Sequence, residues 1–483
     1  MSKDRRFEQT NFMTQPPSIA FAIDRDAPTP VFEQICDNIR QRVTRGDLIH
    51  GTRLPATRAL ATELGVSRST VVTAYEQLVA EGYLSSLQGS GYTIRAMEGV
   101  EFTAPKPTLP RRAEPEVTAT RLPFAPGYPD MRLFPYRQWA KSVARVCRTN
   151  PQAMLLGGAA FGNFELRQAI AGHVAEWRGI TADPAQIIVT AGSADALEIC
   201  TRTLARQGDG IGLENPGYPP LRRFADARGL LTHFLPVDDH GAQLPRPDQD
   251  VRLAVLTPSH QFPLGGAMSP DRRQAFITWA DRTGGWIIED DYDSEFRYAG
   301  RPIPAMAGFD GLNRTIYVGS FSKIFSNTLR LGYLIVPQPL IDRFRTALEQ
   351  FGLRASYMPQ QALAEFIRDG EFYRHLRRVR RTYAERRKHL LDRLTRDFAD
   401  VGSLVDHQAG MQVAFHLRPD LDDTILAARA QAQGLNVETL SHYCAAKAGH
   451  NGFLLGYCGF SVDELEMALS QLNQVFDPSH RSR

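Results

Sequence analysis

Hydrophobic positions near the start of the chain recur at helical spacing. One apolar face in PVFEQICDNIRQRVTRG is formed by Phe32, Ile35, Ile39 and Val43. The stretch TRALATELGVSRSTVVTAYEQLVAEGYL then predicts two helices joined by a tight turn at Gly65. Ser67 is the N-cap of the second helix, which ends near Gly82. The following YLSSLQGSGYTIRA predicts a β-hairpin. This order indicates a helix-turn-helix followed by a wing.

From about residue 124 the pattern changes to short apolar runs alternating with longer amphipathic stretches. The candidate strands are Gln186–Thr190, Gly210–Glu214, Arg252–Thr257, Trp286–Glu289, Thr315–Gly319 and Leu331–Val336. Helical patterns cover Ala194–Arg206, Pro270–Arg282 and Pro339–Gln350. This alternation predicts an α/β domain with a mostly parallel sheet. The arginine-rich EFYRHLRRVRRTYAERRKHL is typical of a solvated helix face.

Between these regions lies GVEFTAPKPTLPRRAEPEVTATRLP, which is rich in proline and lacks apolar periodicity. Such a stretch is typical of an extended linker, and the alternative is a loop packed on the body. We therefore predict a DNA-binding domain at residues 24–96, a linker at 97–122 and an effector and dimerisation domain at 123–476. A length of 483 residues fits two to three domains.

Composition narrows the class of protein. No apolar run is long enough to span a membrane, and the N-terminus lacks the apolar core of a signal peptide. The five cysteines show neither disulfide nor zinc-binding spacing, so we expect no metal site. A cytoplasmic location is expected. The formal net charge of +3 does not by itself indicate a partner.

The start of the second predicted helix carries candidate DNA contacts. In a helix-turn-helix these residues enter the major groove, and here they are Ser67, Arg68, Ser69 and Thr70. Helix-turn-helix spacing alone arises by chance, but RLPATRALATELGVSRSTV and AYEQLVAEGYL together resemble the winged helix-turn-helix of the GntR family. The resemblance implies DNA contacts by Arg58, Arg68, Thr70 and the turn at Gly89. Unlike most family wings, this one has no basic residue just before its Gly-Ser-Gly turn.

The stretch GSFSKIFSNTLRLGY places Lys323 among hydroxyl residues. A lysine amine forms a Schiff base with pyridoxal phosphate, whose phosphate needs hydroxyls, a guanidinium and backbone amides. Candidate phosphate ligands are Ser320, Ser322, Arg330 and the amides of Ser193 and Ala194 in TAGSADAL. A surface Ser-Lys pair is the alternative interpretation.

A second stretch, WIIEDDYDSEF, ends a predicted strand in acids, where α/β folds bind ligands. A carboxylate there keeps a pyridine nitrogen protonated, and Tyr292 is a candidate donor to the ring oxygen. Acids after a strand also occur in solvated loops. Together with the lysine stretch, however, the order resembles the fold-type I, class I aminotransferases across roughly residues 121–475.

That resemblance assigns roles. It implies an internal aldimine at Lys323, Asp290 at the pyridine nitrogen with Asp291 as its rival, and Tyr218 near the cofactor. It also implies phosphate binding by Ser320, Ser322 and Arg330, and ring-oxygen binding by Tyr292. Both halves joined by a linker resemble the MocR-type (GabR-like) branch of GntR regulators, which TPSHQFPLG and EDDYDSEFRY fit. His260 or Gln261 is then placed beside the ring oxygen, and a core-facing His260 is the alternative.

Two departures shape the functional prediction. Ala194 and Asp195 stand where many relatives carry glutamine, and FLLGYCGF lacks the arginine with which aminotransferases bind substrate carboxylate. We expect a homodimeric, pyridoxal phosphate-dependent transcriptional regulator that senses a small amine at Lys323, with double-stranded DNA as partner. Candidate effectors are γ-aminobutyrate, taurine, a peptide or the cofactor itself. An active aminotransferase and a cofactor-free scaffold are the alternatives.

Overall fold

The computed structural model describes residues 21–87, 91–96, 122–151, 158–352, 355–445 and 449–476. The chain divides into two compact units, Met1–Thr118 and Ala119–Arg483. The predicted wing turn at Gly89 and almost all of the predicted linker at 97–122 lie outside the described residues.

The first unit contains the predicted helix-turn-helix and hairpin. Its elements are α1 (Val31–Thr44), α2 (Thr57–Leu64), α3 (Arg68–Ala80), β1 (Leu84–Leu87) and β2 (Gly91–Ile94). Gly65 has a φ of +66°, a left-handed conformation that suits glycine and ends α2. Ser67 caps α3, since its hydroxyl accepts a hydrogen bond from the Thr70 amide at 3.1 Å. Val71, Ala74 and Leu78 form the buried side of α3.

The second unit is an α/β body. Its helices are α4 (Tyr136–Thr149), α5 (Phe164–Arg178), α6 (Ser193–Leu204), α7 (Pro219–Ala227), α8 (Pro270–Thr283), α9 (Met306–Phe309), α10 (Ile341–Phe351), α11 (Met358–Arg368), α12 (Glu371–Asp397), α13 (Asp423–Ala432) and α14 (Val462–Val475). Its strands are β3 (Ile187–Thr190), β4 (Gly210–Asn215), β5 (Leu231–Asp238), β6 (Gly241–Ala242), β7 (Leu253–Leu256), β8 (Trp286–Asp291), β9 (Thr315–Ser320), β10 (Gly332–Ile335), β11 (Gly402–Leu404), β12 (Gln412–Leu417), β13 (Glu438–Thr439) and β14 (Gly452–Gly456).

The large sheet has the order β3-β10-β9-β8-β7-β4-β5-β6. The pairs from β9 through β8, β7 and β4 to β5 are parallel, whereas β10 is antiparallel to both of its neighbours. Alternate residues of β9 enter two hydrophobic clusters, Tyr317 with Leu166 and Leu363, and Ile316 with Leu197 and Phe344. Helices therefore cover both faces of the sheet, and the predicted mostly parallel α/β sheet is confirmed.

The body differs from the sequence analysis at β5 and at the arginine-rich stretch, among other places. β5 was not among the predicted strands, because LTHFLPVD is mostly half-exposed and contains Pro236, which suits a position near the sheet edge. The arginine-rich stretch forms α12, but it is not simply a solvated face. Arg386 is buried and pairs with the buried Asp130 at 2.8 Å, since tertiary packing brings residue 130 against the helix. In the described part of the chain, no helix is long and apolar enough to cross a membrane.

Candidate cofactor cleft and DNA-binding surface

Strand pairing brings the lysine loop and the predicted anion loop together. Gly332, at the start of β10, lies opposite Thr190 on one side and Ser320 on the other. A Cβ atom at Gly332 would lie 3.0 Å from the backbone of Gly192 and 3.0 Å from the carbonyl oxygen of Gly319, so the backbones approach closely at this junction. The loop that carries Lys323 therefore begins beside the loop that begins α6.

The two loops open on a cleft at the strand ends. Its volume is about 130 Å³, and its walls include Ser193, Glu214, Tyr218, Arg222, Phe262, Thr257, Asp290, Tyr292 and Lys323. A second opening of about 340 Å³ shares Tyr218, Phe262, Tyr292 and Lys323 with the first and adds Gly127, Arg223 and Glu438. We call the first opening the inner compartment and the second the outer compartment. Both are lined by Lys323, so they meet at the lysine.

Lys323 has the environment of a reactive amine. Its Nζ atom donates a 2.7 Å hydrogen bond to the carbonyl oxygen of Gly127. Burial lowers the pKa of Lys323 below its ordinary value, and the charges of Asp293 and Asp290 oppose that shift. A lowered pKa increases the fraction of neutral amine, the form that attacks a carbonyl group.

Adjacent aspartates at the end of β8 point to opposite faces of the sheet. Asp290 lines the cleft, and its buried Oδ1 atom has no hydrogen-bond partner among the described residues. Burial, with the charges of Asp291 and Glu214, raises the pKa of Asp290 to about 7. Asp291 instead accepts a 2.5 Å hydrogen bond from Tyr317 and lies 2.7 Å from Arg178 Nε. The geometry thus places Asp290 in the cleft, whereas Asp291, the alternative candidate, pairs with Arg178.

Glu214 is a further carboxyl group in the cleft that the sequence analysis missed. It accepts hydrogen bonds from the Thr257 amide at 3.1 Å, the Thr257 hydroxyl at 2.5 Å and Gln261 Nε2 at 3.3 Å. Burial raises the pKa of Glu214 to about 7. The available signal was an acid near the end of an apolar strand, the same signal that singled out Asp290.

The residues predicted near the ring oxygen divide into two sets. Tyr292 lines the cleft, and its hydroxyl lies 2.9 Å from Nδ1 of the buried His260. The same nitrogen lies 2.9 Å from Asp293 Oδ1, and His260 itself is not among the residues that line the cleft. Gln261 donates to the carbonyl oxygens of Pro216 and Phe262 and holds the loop.

The predicted phosphate ligands lie around the start of α6. Ser193 lines the cleft with Ala194 next to it, and Gly192, the N-cap, provides no side chain to occupy the free helix amides. Asp195 accepts a 2.7 Å hydrogen bond from the Ala191 amide, and the positive charge of Arg330 acts on that carboxylate.

Ser320 and Ser322 belong to the lysine loop, where the Ser320 hydroxyl accepts a 3.1 Å hydrogen bond from the Ser322 amide. Arg330 is exposed and has a φ of +48°, unusual for a residue other than glycine. The local turn thus fixes Ser320, whereas Arg330 is exposed and lies close enough for its charge to act on Asp195.

Tyr218 and two arginines complete the walls. The Tyr218 ring is 46% exposed and packs edge-on against Phe262 at 5.8 Å. Arg222 and Arg223 follow on α7 and line the inner and outer compartments. The Nε atom of Arg222 is buried without a hydrogen-bond partner among the described residues. The FLLGYCGF stretch contains no cationic residue. Arg222 and Arg223, which the sequence analysis missed, supply guanidinium groups on the walls of the two compartments instead.

In the first unit, the predicted DNA contacts within the described residues lie on α2 and at the start of α3. Arg58, Ser67, Arg68 and Ser69 are exposed, and Thr70 is half-buried. An additional cation lies beside the wing. Arg53 forms an isolated β-bridge with Thr93 of β2, and its guanidinium would be 3.7 Å from a Cβ atom at Gly91.

The winged helix-turn-helix unit and the lysine-containing cleft define a class of two-part regulators built on an aminotransferase-type body. Residues 32–94 match the model for bacterial regulatory proteins of the gntR family, and residues 128–471 match that for aminotransferase class I and II. The chain belongs to the MocR-type branch of the GntR family of transcriptional regulators.

Relatives share this organisation over nearly their full length. The probable rhizopine catabolism regulatory protein MocR of Rhizobium meliloti is 37% identical over 94% of this chain and 95% of its own. The HTH-type pyridoxine biosynthesis transcriptional regulator PdxR of Corynebacterium glutamicum is 34% identical over 95% and 98%. The body resembles LysN, an α-aminoadipate aminotransferase from Thermus thermophilus solved with N-(5'-phosphopyridoxyl)-L-leucine, with 26% identity, a TM-score of 0.66 and coverage of 73% and 91%.

Proposed function

We propose that this DNA-binding regulator holds pyridoxal phosphate at Lys323 and senses a small amine in the cleft. One observation carries the proposal: the Lys323 amine and the unpartnered Asp290 carboxylate oxygen open on the same cleft. Pyridoxal phosphate supplies an aldehyde for a lysine amine and a pyridine ring that acts as an electron sink.

The side chains available match the groups of that cofactor. Asp290 supplies the carboxylate for the pyridine nitrogen, and Tyr292 supplies a hydroxyl for the ring oxygen. The free amides at the start of α6, with Ser193 and Ala194, suit a phosphate. Ser320, Ser322 and Arg330 are the further phosphate ligands that we propose. Tyr218 supplies an exposed aromatic face beside the cleft.

The outer compartment suits the effector. It reaches Lys323 from solvent and contains Arg223 and Glu438, so both an amine and an acidic group would find a charged partner. An amine that displaces Lys323 from the cofactor frees the lysine side chain. Such an effector controls DNA binding to the extent that it prefers one arrangement of the protein over another.

For DNA binding we propose contacts by Arg58 on α2 and, at the start of α3, by Ser67, Arg68, Ser69 and Thr70. Short hydroxyl side chains and arginines suit the phosphates and base edges of a major groove. We add Arg53 as a phosphate contact beside the wing, because its guanidinium lies beside Gly91 at the start of β2 and the sequence lacks the family's basic wing residue. Pairing of two chains in a homodimer would place two such units on a two-part operator.

Absorbance titration of the purified protein with pyridoxal phosphate tests the cofactor assignment. A visible band that Lys323→Ala abolishes is expected, and a band of equal strength in that variant would overturn the assignment. Addition of γ-aminobutyrate, taurine, α-amino acids and short peptides then identifies the class of amine that shifts the band.

The alternative function is an active aminotransferase with an appended DNA-binding unit. Fold and cleft are compatible with it, whereas the missing arginine in FLLGYCGF favours the regulator. Incubation with an amine donor and a keto acid separates the two. Multiple turnovers would support the enzyme, and a band shift without keto-acid product would support the sensor.

A further inference from the structure

Three side chains form a hydrogen-bonded set at the edge of the cleft. Nδ1 of His260 lies 2.9 Å from Asp293 Oδ1 and 3.1 Å from Oδ2. The same nitrogen lies 2.9 Å from the Tyr292 hydroxyl. His260 and Asp293 are 5% and 1% exposed, so water has little access to this nitrogen.

A single imidazole nitrogen cannot satisfy both neighbours in the same way. An ionised carboxylate only accepts hydrogen bonds, so Nδ1 carries the hydrogen when it binds Asp293. A protonated Nδ1 has no lone pair to accept from Tyr292. The Tyr292 hydrogen must therefore point elsewhere, and the cleft is the space that Tyr292 lines.

We propose that Asp293 and His260 are positioning residues that keep the Tyr292 hydroxyl as a hydrogen-bond donor into the cleft, toward the phenolic oxygen of pyridoxal phosphate. The inference rests on the proposed function, because it needs that cofactor. Without Asp293, the Nδ1 lone pair would be available, and Tyr292 would turn its hydrogen toward His260. The donor to the cofactor would then be lost although Tyr292 is still present.

The surroundings hold the imidazole in place. A Cβ atom at Gly410 would lie 2.2 Å from Cε1 of His260, so glycine leaves the space that the ring occupies. The Gly410 carbonyl oxygen accepts a 2.9 Å hydrogen bond from Tyr298 and another from Tyr457. The charged or titratable groups around the set are Asp290, Asp291, Glu214 and Lys323 near the Tyr292 and Asp293 side, and His407 near His260.

A double-mutant cycle isolates this effect. Wild type, Tyr292→Phe, Asp293→Asn and the double variant are loaded with pyridoxal phosphate, and the pH midpoint of the lysine-dependent absorbance change is measured. A hydrogen bond donated to the phenolic oxygen stabilises its negative charge, so loss of the donor raises the midpoint. We expect Tyr292→Phe to raise it by about one pH unit when Asp293 is present.

With Asn at position 293, no ionised carboxylate holds the hydrogen on Nδ1, so the tautomer that carries its hydrogen on Nε2 and leaves the Nδ1 lone pair to Tyr292 becomes available. The same exchange in the serine protease triad, where asparagine replaces the aspartate beside the histidine, leaves the geometry intact but gives the wrong tautomer. We therefore expect Tyr292→Phe to shift the midpoint by less than a third as much in the Asp293→Asn background. The loss of the Asp293 charge is common to both variants of that background, so it cancels in the cycle.

Equal shifts in the two backgrounds would overturn the inference. A wild-type protein without any lysine-dependent band would instead overturn the proposed function, and the inference with it. If Asp293→Asn does not fold, His260→Asn and His260→Leu replace it. The Asn side chain keeps an N–H near Asp293 and should preserve the Tyr292→Phe shift. Leu leaves the buried Asp293 carboxylate without its donor, so the Tyr292 hydrogen should turn toward that carboxylate and the shift should be lost. Any other pattern contradicts the inference.

Discussion

The amine of Lys323 donates a 2.7 Å hydrogen bond to the carbonyl oxygen of Gly127, a residue 196 positions earlier in the chain. Gly127 has a φ of +74°, and a Cβ atom there would lie 2.8 Å from Lys323 Nζ. Gly127 therefore forms part of the cleft wall, and the space that its missing side chain leaves is occupied by the Lys323 amine.

Gly127→Ala should weaken pyridoxal phosphate binding at least about tenfold, because the new methyl group displaces the amine and about 1.4 kcal/mol corresponds to a factor of ten. Absorbance titration measures the change. Gly284→Ala is the matched control, since Gly284 has a φ of +71° but no atom within 4 Å of its added Cβ. Equal losses in both variants would mean that backbone strain, and not contact with Lys323, causes the effect.

Asp290→Asn should stabilise the cofactor-free protein at high pH. The pKa of Asp290 rises from its ordinary 3.8 to about 7 in the fold, so ionisation opposes folding. That penalty is absent below about pH 4, grows as pH rises and is complete above about pH 7. Because the carboxylate faces the cleft, the expected gain at pH 8 is only about 1–2 kcal/mol.

Urea unfolding of the cofactor-free protein at pH 4 and pH 8 measures this gain. The same variant should bind pyridoxal phosphate more weakly, since it lacks the charge for the pyridine nitrogen. If the Asp290→Asn variant is less stable than wild type at pH 8, ionisation of the buried Asp290 does not oppose folding.

Asp291→Asn should have the opposite effect on stability. Arg178 is 2% exposed, and Asp291 lies 2.7 Å from its Nε atom. Removal of one partner leaves a buried charge uncompensated, for which about 3 kcal/mol of destabilisation is expected. Urea unfolding at pH 7 measures it, with Asp290→Asn as the neighbouring control. A loss below about 1 kcal/mol would show that the other contacts of Arg178 suffice.

Arg53→Gln should reduce the salt dependence of DNA binding. If Arg53 contacts one phosphate, the slope of log K against log salt decreases by about one. Fluorescence anisotropy with a mixed-sequence duplex at several salt concentrations measures the slope. Arg45→Gln, an exposed arginine at the end of α1, is the charge-matched control. The same change in slope for both variants would indicate a general effect of charge.

Sequence patterns predicted the elements that depend on local chemistry. Ser67 caps its helix and Gly65 ends the preceding one as expected, because capping and turn preferences act within a few residues. Most large-sheet strands were found from their apolar runs. The small sheet of β11, β12, β14 and β13 was not predicted, since its strands are short and gain their partners only by folding.

Side-chain partnerships were the harder part. Asp290 and Asp291 are adjacent acids that sequence patterns do not distinguish. Side chains alternate along strand β8, so Asp290 lines the cleft with Lys323 whereas Asp291 pairs with Arg178. Likewise, His260 looked like a residue beside the ring oxygen, but the fold places Asp293 and Tyr292 on the same nitrogen. Strand β4 and helix α7 adjoin the cleft and bring Glu214, Arg222 and Arg223 to its walls. No local sequence motif predicts these positions.

The sequence by itself determined the two-part organisation, the family and the candidate residues that we propose for a phosphate, a pyridine ring and an aldehyde. These follow from local patterns whose physical causes lie within a turn or a strand. Tertiary structure alone decided which carboxylate faces the lysine, where Gly127 stands and which arginines line the cleft. Those contacts join segments far apart in the chain, and their energies depend on burial and on the direction of each side chain, which exist only once the chain has folded.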